Sequence, residues 1–240
     1  MLFLLPSLLI YLVYFVAAVA PAVFLLRYIY NKDRVEKEPL PLLLMLLLLG
    51  VAAALVSIVL ESVGTWALDI FVDSGSKVYV ILLAFLVVAA VEEGTKLFFL
   101  RLRTWRDPNF NFTFDGVVYA VFVSLGFAAF ENVKYVMGYG LSVAVPRALL
   151  SIPGHMGFAV FMGIYYGRAK LCERAGDYAG AKRSIRTGYL IAVLLHGFYD
   201  SCAMIGNTLS TLLFLVFVVI MYIIVIRTIK REAGNDTEIL

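Results

Sequence analysis

Four short runs of this chain hold residue types that do hydrolytic or metal chemistry: Val91-Glu92-Glu93-Gly94-Thr95-Lys96, Phe127-Ala128-Ala129-Phe130-Glu131-Asn132, Pro153-Gly154-His155 and His196-Gly197-Phe198-Tyr199-Asp200. Carboxylates beside imidazoles bind zinc with an open coordination position, or activate water directly as general bases. Either use serves hydrolysis. Residues four apart share a helical face, so Glu92 can pair with Lys96 and His196 with Asp200. Adjacent residues diverge by about 100°, so Glu92 and Glu93 cannot aim at one point unless their helix bends. One is expected to face the reaction centre while the other orients it or bonds a neighbouring helix. There is no H-E-x-x-H zinc signature, no G-x-S-x-G elbow, and no companion for Cys202 as a nucleophile.

The elements that carry these runs must cross a membrane. Of 240 residues, 62% are apolar and 15% charged, with mean hydropathy +0.94. Soluble domains average roughly 45–50% apolar and about 25% charged, so a single globular core cannot hide this surface. Intrinsic disorder, a disulfide scaffold and a nucleic-acid binder are excluded on the same grounds. Seven segments reach the roughly 20 apolar residues that span a bilayer as a helix: Leu2 to Leu26, Leu40 to Ser62, Val78 to Leu100, Asp115 to Met137, Pro146 to Gly167, Thr187 to Ile205 and Thr208 to Ile226. The expected fold is an all-α, seven-helix membrane bundle with one domain over residues 1–240. Residues 227–240 form a short cytoplasmic tail. Ala18-Val19-Ala20 imitates a signal-peptidase site, but no basic region precedes it and Pro21 follows, so the first span is expected to be retained.

Basic residues orient the bundle. Sixteen of the twenty fall in alternate connections: Arg27 to Lys37, Arg101 to Arg106, Arg168 to Arg186, and Arg227 to Arg231; only Lys77 and Arg147 fall on the other side. By the positive-inside rule the N-terminus lies outside and the C-terminus in the cytoplasm. The loop Arg168 to Arg186 anchors that orientation and could also attract anionic lipid. Cys172 and Cys202 form no framework, and no disulfide is expected. The stretch from Gly64 to Lys77, with Trp66, Leu68, Ile70 and Phe71, reads equally as an amphipathic piece in the outer interface or as a plain loop.

An ionisable group within a span costs several kcal/mol unless paired or hydrated. Counted at 1.5 Å per residue from each outer span end, Glu131, His155, His196 and Asp200 lie roughly 9 to 15 Å deep, and Glu92 and Glu93 about 21 Å. Four helices can thus meet at one level, in the outer half of the membrane. The plainer roles are set beside this. His155 and Asn132 can simply join helices, Lys134 can snorkel to the interface, Asp115 before Gly116 can cap a helix, and Glu92 with Lys96 can be a self-neutralising pair.

At these residues the chain resembles the PrsW family of bacterial intramembrane proteases, which is related to the CAAX prenyl protease and bacteriocin-processing superfamily. Glu92-Glu93-x-x-Lys96 is similar to its E-E-x-x-K element, Phe127-x-x-x-Glu131 to its F-x-x-x-E element, and His196-x-x-x-Asp200 to its final H-x-x-x-D element; His155 also fits. The likeness runs from about Leu82 to Asp200. It implies a peptidase of the bacterial plasma membrane acting on a single-pass membrane protein, typically an anti-sigma factor cut first on its extracytoplasmic side. It further implies that Glu92 or Glu93 activates water, while Glu131, His155, His196 and Asp200 ligate a metal or bind the oxyanion. Lys96 and Asn132 support them. Glu131, His155 and His196 are the metal ligands to test, with zinc the expected ion. In the related CAAX proteases the positions of Glu131 and Asp200 carry His and often Asn. The more acidic set here favours a cation, although the superfamily includes a metal-independent glutamate mechanism.

Two other classes use similar residues. A proton or cation transporter would line its path with buried carboxylates and histidines, usually with repeat symmetry, and no repeat is visible here. A non-catalytic scaffold would tolerate the loss of Glu93.

Overall fold

The computed structural model describes residues 4–239, with side chains from Leu8 onward. Among the described residues, seven helices are long and apolar enough to span: α1 Leu4–Lys32, α2 Leu40–Phe71, α3 Lys77–Thr104, α4 Asp115–Tyr139, α5 Leu141–Arg174, α6 Tyr178–Ile205 and α7 Thr208–Gly234. The expected start of the first span at Leu2 lies outside the described residues.

Several helices outrun the expected spans, because helix propensity and capping continue where hydropathy stops. Of the stretch from Gly64 to Lys77, no proline interrupts Gly64 to Phe71, which is the end of α2, and only residues 72–76 form a loop. At 1.5 Å per residue its 32 residues measure about 48 Å, beyond the roughly 30 Å hydrocarbon core. Its last turns expose Trp66 and Phe71, as suits the interface. Likewise α6 starts nine residues before Thr187, where the Asp177 carboxylate accepts from Gly180 N–H at 2.8 Å. Lys182, Arg183 and Arg186 are therefore helical, and only residues 175–177 remain of the expected basic loop. An Asn207–Ser210 capping box opens α7, which continues through Arg227, Lys230 and Arg231 to Gly234. The expected tail is thus mostly helix.

The most enclosed helix is α4, which packs against α1, α2, α3 and α5. Lipid offers no hydrophobic drive for helices to associate, so close approach of small residues does the work. A Cβ on Gly126 would come within 2.3 Å of Leu47 O on α2, and one on Gly116 within 2.7 Å of Gly163 O on α5. Around this centre α6 packs on α5 and on α3, and α7 closes against α5 and α6.

The basic connections meet at one end of the bundle. Asn111 Nδ2 donates to Glu36 Oε2 at 3.0 Å, Lys170 Nζ to Trp105 O at 2.7 Å, and Thr113 N to Thr237 O at 2.9 Å. Asp115 acts one step away from the expected cap. Its carboxylate accepts from Asn111 and Phe112 N–H in the preceding turn, while Asp236 accepts from Phe114 N–H. Both cysteines are free.

Candidate active site

Glu92 and Glu93 follow a wide π-helical turn, Leu83–Ala89, and His155 follows a second, Arg147–Ser151. Such turns insert an extra residue and rotate what comes after, which is why they recur at functional sites. In α5 the carbonyls loosened by the turn are recovered from α7. Tyr222 Oη donates to Leu149 O at 2.8 Å and Leu150 O at 3.0 Å.

After this turn both glutamates reach the same partners. Lys96 Nζ donates to Glu92 Oε2 at 3.1 Å and Glu93 Oε1 at 2.8 Å, and it lies over the Phe127 ring. His196 lays its ring across them, with Nδ1 2.9 Å from Glu93 Oε1 and Nε2 4.0 Å from Glu92 Oε2. The two carboxylates address opposite edges of one imidazole. Asp200 Oδ2, one turn along α6, is 3.3 Å from His196 Nε2.

His155 joins the group from α5. An ammonium only donates, so His155 Nδ1, 3.2 Å from Lys96 Nζ, is the acceptor there, and Nε2 carries the hydrogen toward Glu131 Oε2 at 3.1 Å. Ser124 Oγ holds the His155 carbonyl at 2.9 Å, and the two histidine rings meet edge to face. Asn132 ties helices as its plainer reading had it. Its Nδ2 donates to Ala18 O on α1 at 2.7 Å, while its Oδ1 accepts from Arg147 Nε at 2.9 Å. Lys134 is exposed and stands at the edge of the site's cavity.

These residues line a cavity of about 520 Å3 with Glu92, Glu131, His155, His196 and Asp200 on its walls. Glu93 is fully buried behind them. Among the lining residues that sequence reasoning passed over as site residues are Glu61, Arg147 and Tyr199. Glu61 falls one residue from the end of the expected second span. Arg147 counted only as a topology signal, yet its guanidinium reaches Glu131 Oε2 at 3.4 Å and stacks on Tyr135. A lone arginine on the side nearly free of basic residues was the available clue.

The donor set fits a divalent cation. Glu92, Glu93, His155 and His196 each bring a ligand atom within 4.8 Å of the others. Glu93 Oε2 is buried with no hydrogen-bond partner, and the carboxylates of Glu92, Glu93, Glu131 and Asp200 face two fixed cations, Lys96 and Arg147. Glu131 stands outside the four-donor group, on the far side of the His155 ring.

A sequence profile of the family described as "PrsW family intramembrane metalloprotease" matches residues 38–227. Among curated relatives, "Protease PrsW" of Clostridioides difficile is 30% identical over 94% of this chain and 93% of its own length. The "Protease PrsW" of Geobacillus kaustophilus is 36% identical over 77% and 76%, and that of Bacillus subtilis 34% over 77% and 79%. No solved structure matches the chain.

Proposed function

The chain belongs to the PrsW family of intramembrane metalloproteases, and on that premise we propose that it cleaves a single-pass membrane protein of the anti-sigma-factor type near the outer half of the bilayer, as the first cut of regulated proteolysis. It is a multi-pass membrane hydrolase. The observation that carries the finer reading is the meeting of two glutamates and two histidines from three helices, with Glu92, His155 and His196 on the wall of one cavity. The clustering of the basic connections at the opposite end supports a cytoplasmic C-terminus and an outward-facing site.

Glu92 lines the cavity and Glu93 does not, so we assign Glu92 as the base. It takes a proton from water as the water oxygen bonds to the scissile carbonyl carbon, then returns that proton to the departing amine as the C–N bond breaks. Glu93, behind it, orients His196 and Lys96. His155 and His196 with Glu93 would hold the cation, zinc by donor type, and Glu131 would fix His155 through its Nε2–H. When bound, such an ion polarises the carbonyl as a Lewis acid. Arg147, already beside Glu131, can meet the developing oxyanion from the cavity wall.

The test is cleavage of a single-pass reporter in liposomes. Glu92→Gln, Glu93→Gln and His196→Ala are expected to abolish it while the proteins remain folded, and normal cleavage by all three would overturn the proposal.

A further inference from the structure

On the face of α5 turned away from the catalytic cavity, a groove of about 740 Å3 runs between α1, α5 and α7. Phe24, Leu25, Met156, Val225 and Ile229 give it apolar walls, and at one end Lys32 and Lys230 enter. The same two lysines, with Arg34, line an adjoining hollow of about 310 Å3. Among the described residues, no acidic side chain lines either space. Glu232, close by in sequence, is engaged by Arg231 and Arg168, and Asp33 is turned inward at 1% exposure. Three cations therefore cluster at the end of an apolar groove with no carboxylate of the described residues on its lining.

The dimensions select the occupant. Along α1 the groove extends from Pro21 to Lys32, eleven residues or about 16 Å, which matches one leaflet of a hydrocarbon core roughly 30 Å thick. An extended acyl chain laid along these apolar walls brings its headgroup to the three cations at the groove's end. Basic pockets between spanning helices suit anionic lipid headgroups.

We propose that this groove binds one anionic glycerophospholipid of the leaflet on the basic side, its acyl chain between α1, α5 and α7 and its phosphate against Lys32, Arg34 and Lys230. The site also touches the catalytic helix. Ala148, Leu149 and Pro153 line the groove, while Arg147, Ser151 and His155 line the active-site cavity. The lipid chain would back the wide turn that aims His155.

Native mass spectrometry of the full chain, released from nanodiscs of equal phosphatidylglycerol and phosphatidylcholine, tests this independently of proteolysis. One retained lipid is expected, with phosphatidylglycerol enriched at least about tenfold. The triple variant Lys32→Gln, Arg34→Gln, Lys230→Gln should lose that enrichment, and Ile226→Trp, which fills the groove wall, should lose retention of either lipid. Replacing Lys182, Arg183 and Arg186 with Gln at the same end of the bundle should leave enrichment intact. If the triple variant proves unstable, Lys230→Gln alone should still lower the enrichment severalfold. Unchanged enrichment in the charge variants, an equal loss in the Lys182, Arg183, Arg186 control, or retention of a second copy of the chain in place of lipid would each overturn the proposal.

Discussion

Glu93 and His196, 103 residues apart, meet at 2.9 Å through Oε1 and Nδ1 in a fully buried contact that fastens α3 to α6. Because Lys96 binds the same glutamate oxygen and His155 adjoins Lys96, a change at any one of these residues reaches all of them. A partly satisfied buried network is costly, and Glu93 Oε2 is the atom still without a partner.

Metal content should follow the four-donor group. Purified protein is expected to carry about one equivalent of zinc, lost on chelation together with cleavage activity. Glu93→Gln and His155→Ala should each reduce retained metal by at least about tenfold, while Asp200→Asn should weaken it less. Full activity after complete chelation would point instead to a metal-independent glutamate mechanism.

Arg147→Gln removes the guanidinium that bridges Glu131 and Asn132. Changes to partners that orient a site typically cost 10–100-fold, and a loss of that size in reporter turnover is expected, with Arg147→Lys recovering part of it. Wild-type turnover in Arg147→Gln would limit this residue to marking topology.

Lys96→Met strands two buried carboxylates. Breaking a buried ion pair from one side costs about 3–5 kcal/mol, so the variant should melt well below the wild type in detergent. Added zinc should restore part of the loss, since a cation can take over the charge of Glu92 and Glu93. A variant as stable as the wild type without metal would mean that water, not Lys96, balances those groups.

At the basic end, outside the spans, burial raises Glu38 to about 7 and Asp33 to about 6. A carboxyl with a higher pKa folded than unfolded stabilises the fold fully below its ordinary value of 4.5 and loses that contribution as pH rises through about 7. Stability should therefore fall between pH 5 and pH 8, by on the order of 3 kcal/mol at most from Glu38. Glu38→Gln keeps an acceptor for Tyr119 Oη, now at 2.7 Å, and should flatten that slope. Melting curves across this range for both proteins decide it, and an unchanged slope in Glu38→Gln would remove Glu38 as its source.

Composition and the placement of basic residues by themselves determined a seven-span helical bundle, because a bilayer accepts no other use of such apolar stretches and because Lys and Arg mark one side. Pairs within one helix, Glu92 with Lys96 and His196 with Asp200, were legible from 3.6-residue periodicity. What the tertiary structure decided were the contacts between helices. Two π-helical turns re-aim α3 and α5, so that Glu92 and Glu93 both reach His196, and Arg147 is drawn onto Glu131. The ends of α2, α6 and α7 were set by caps and neighbouring chain, which hydropathy does not register. Spacing along one helix fixes which residues share its face, but the rotation and depth of each helix against the next come only from packing, here the close approach of Gly126 and Gly116 to facing backbones.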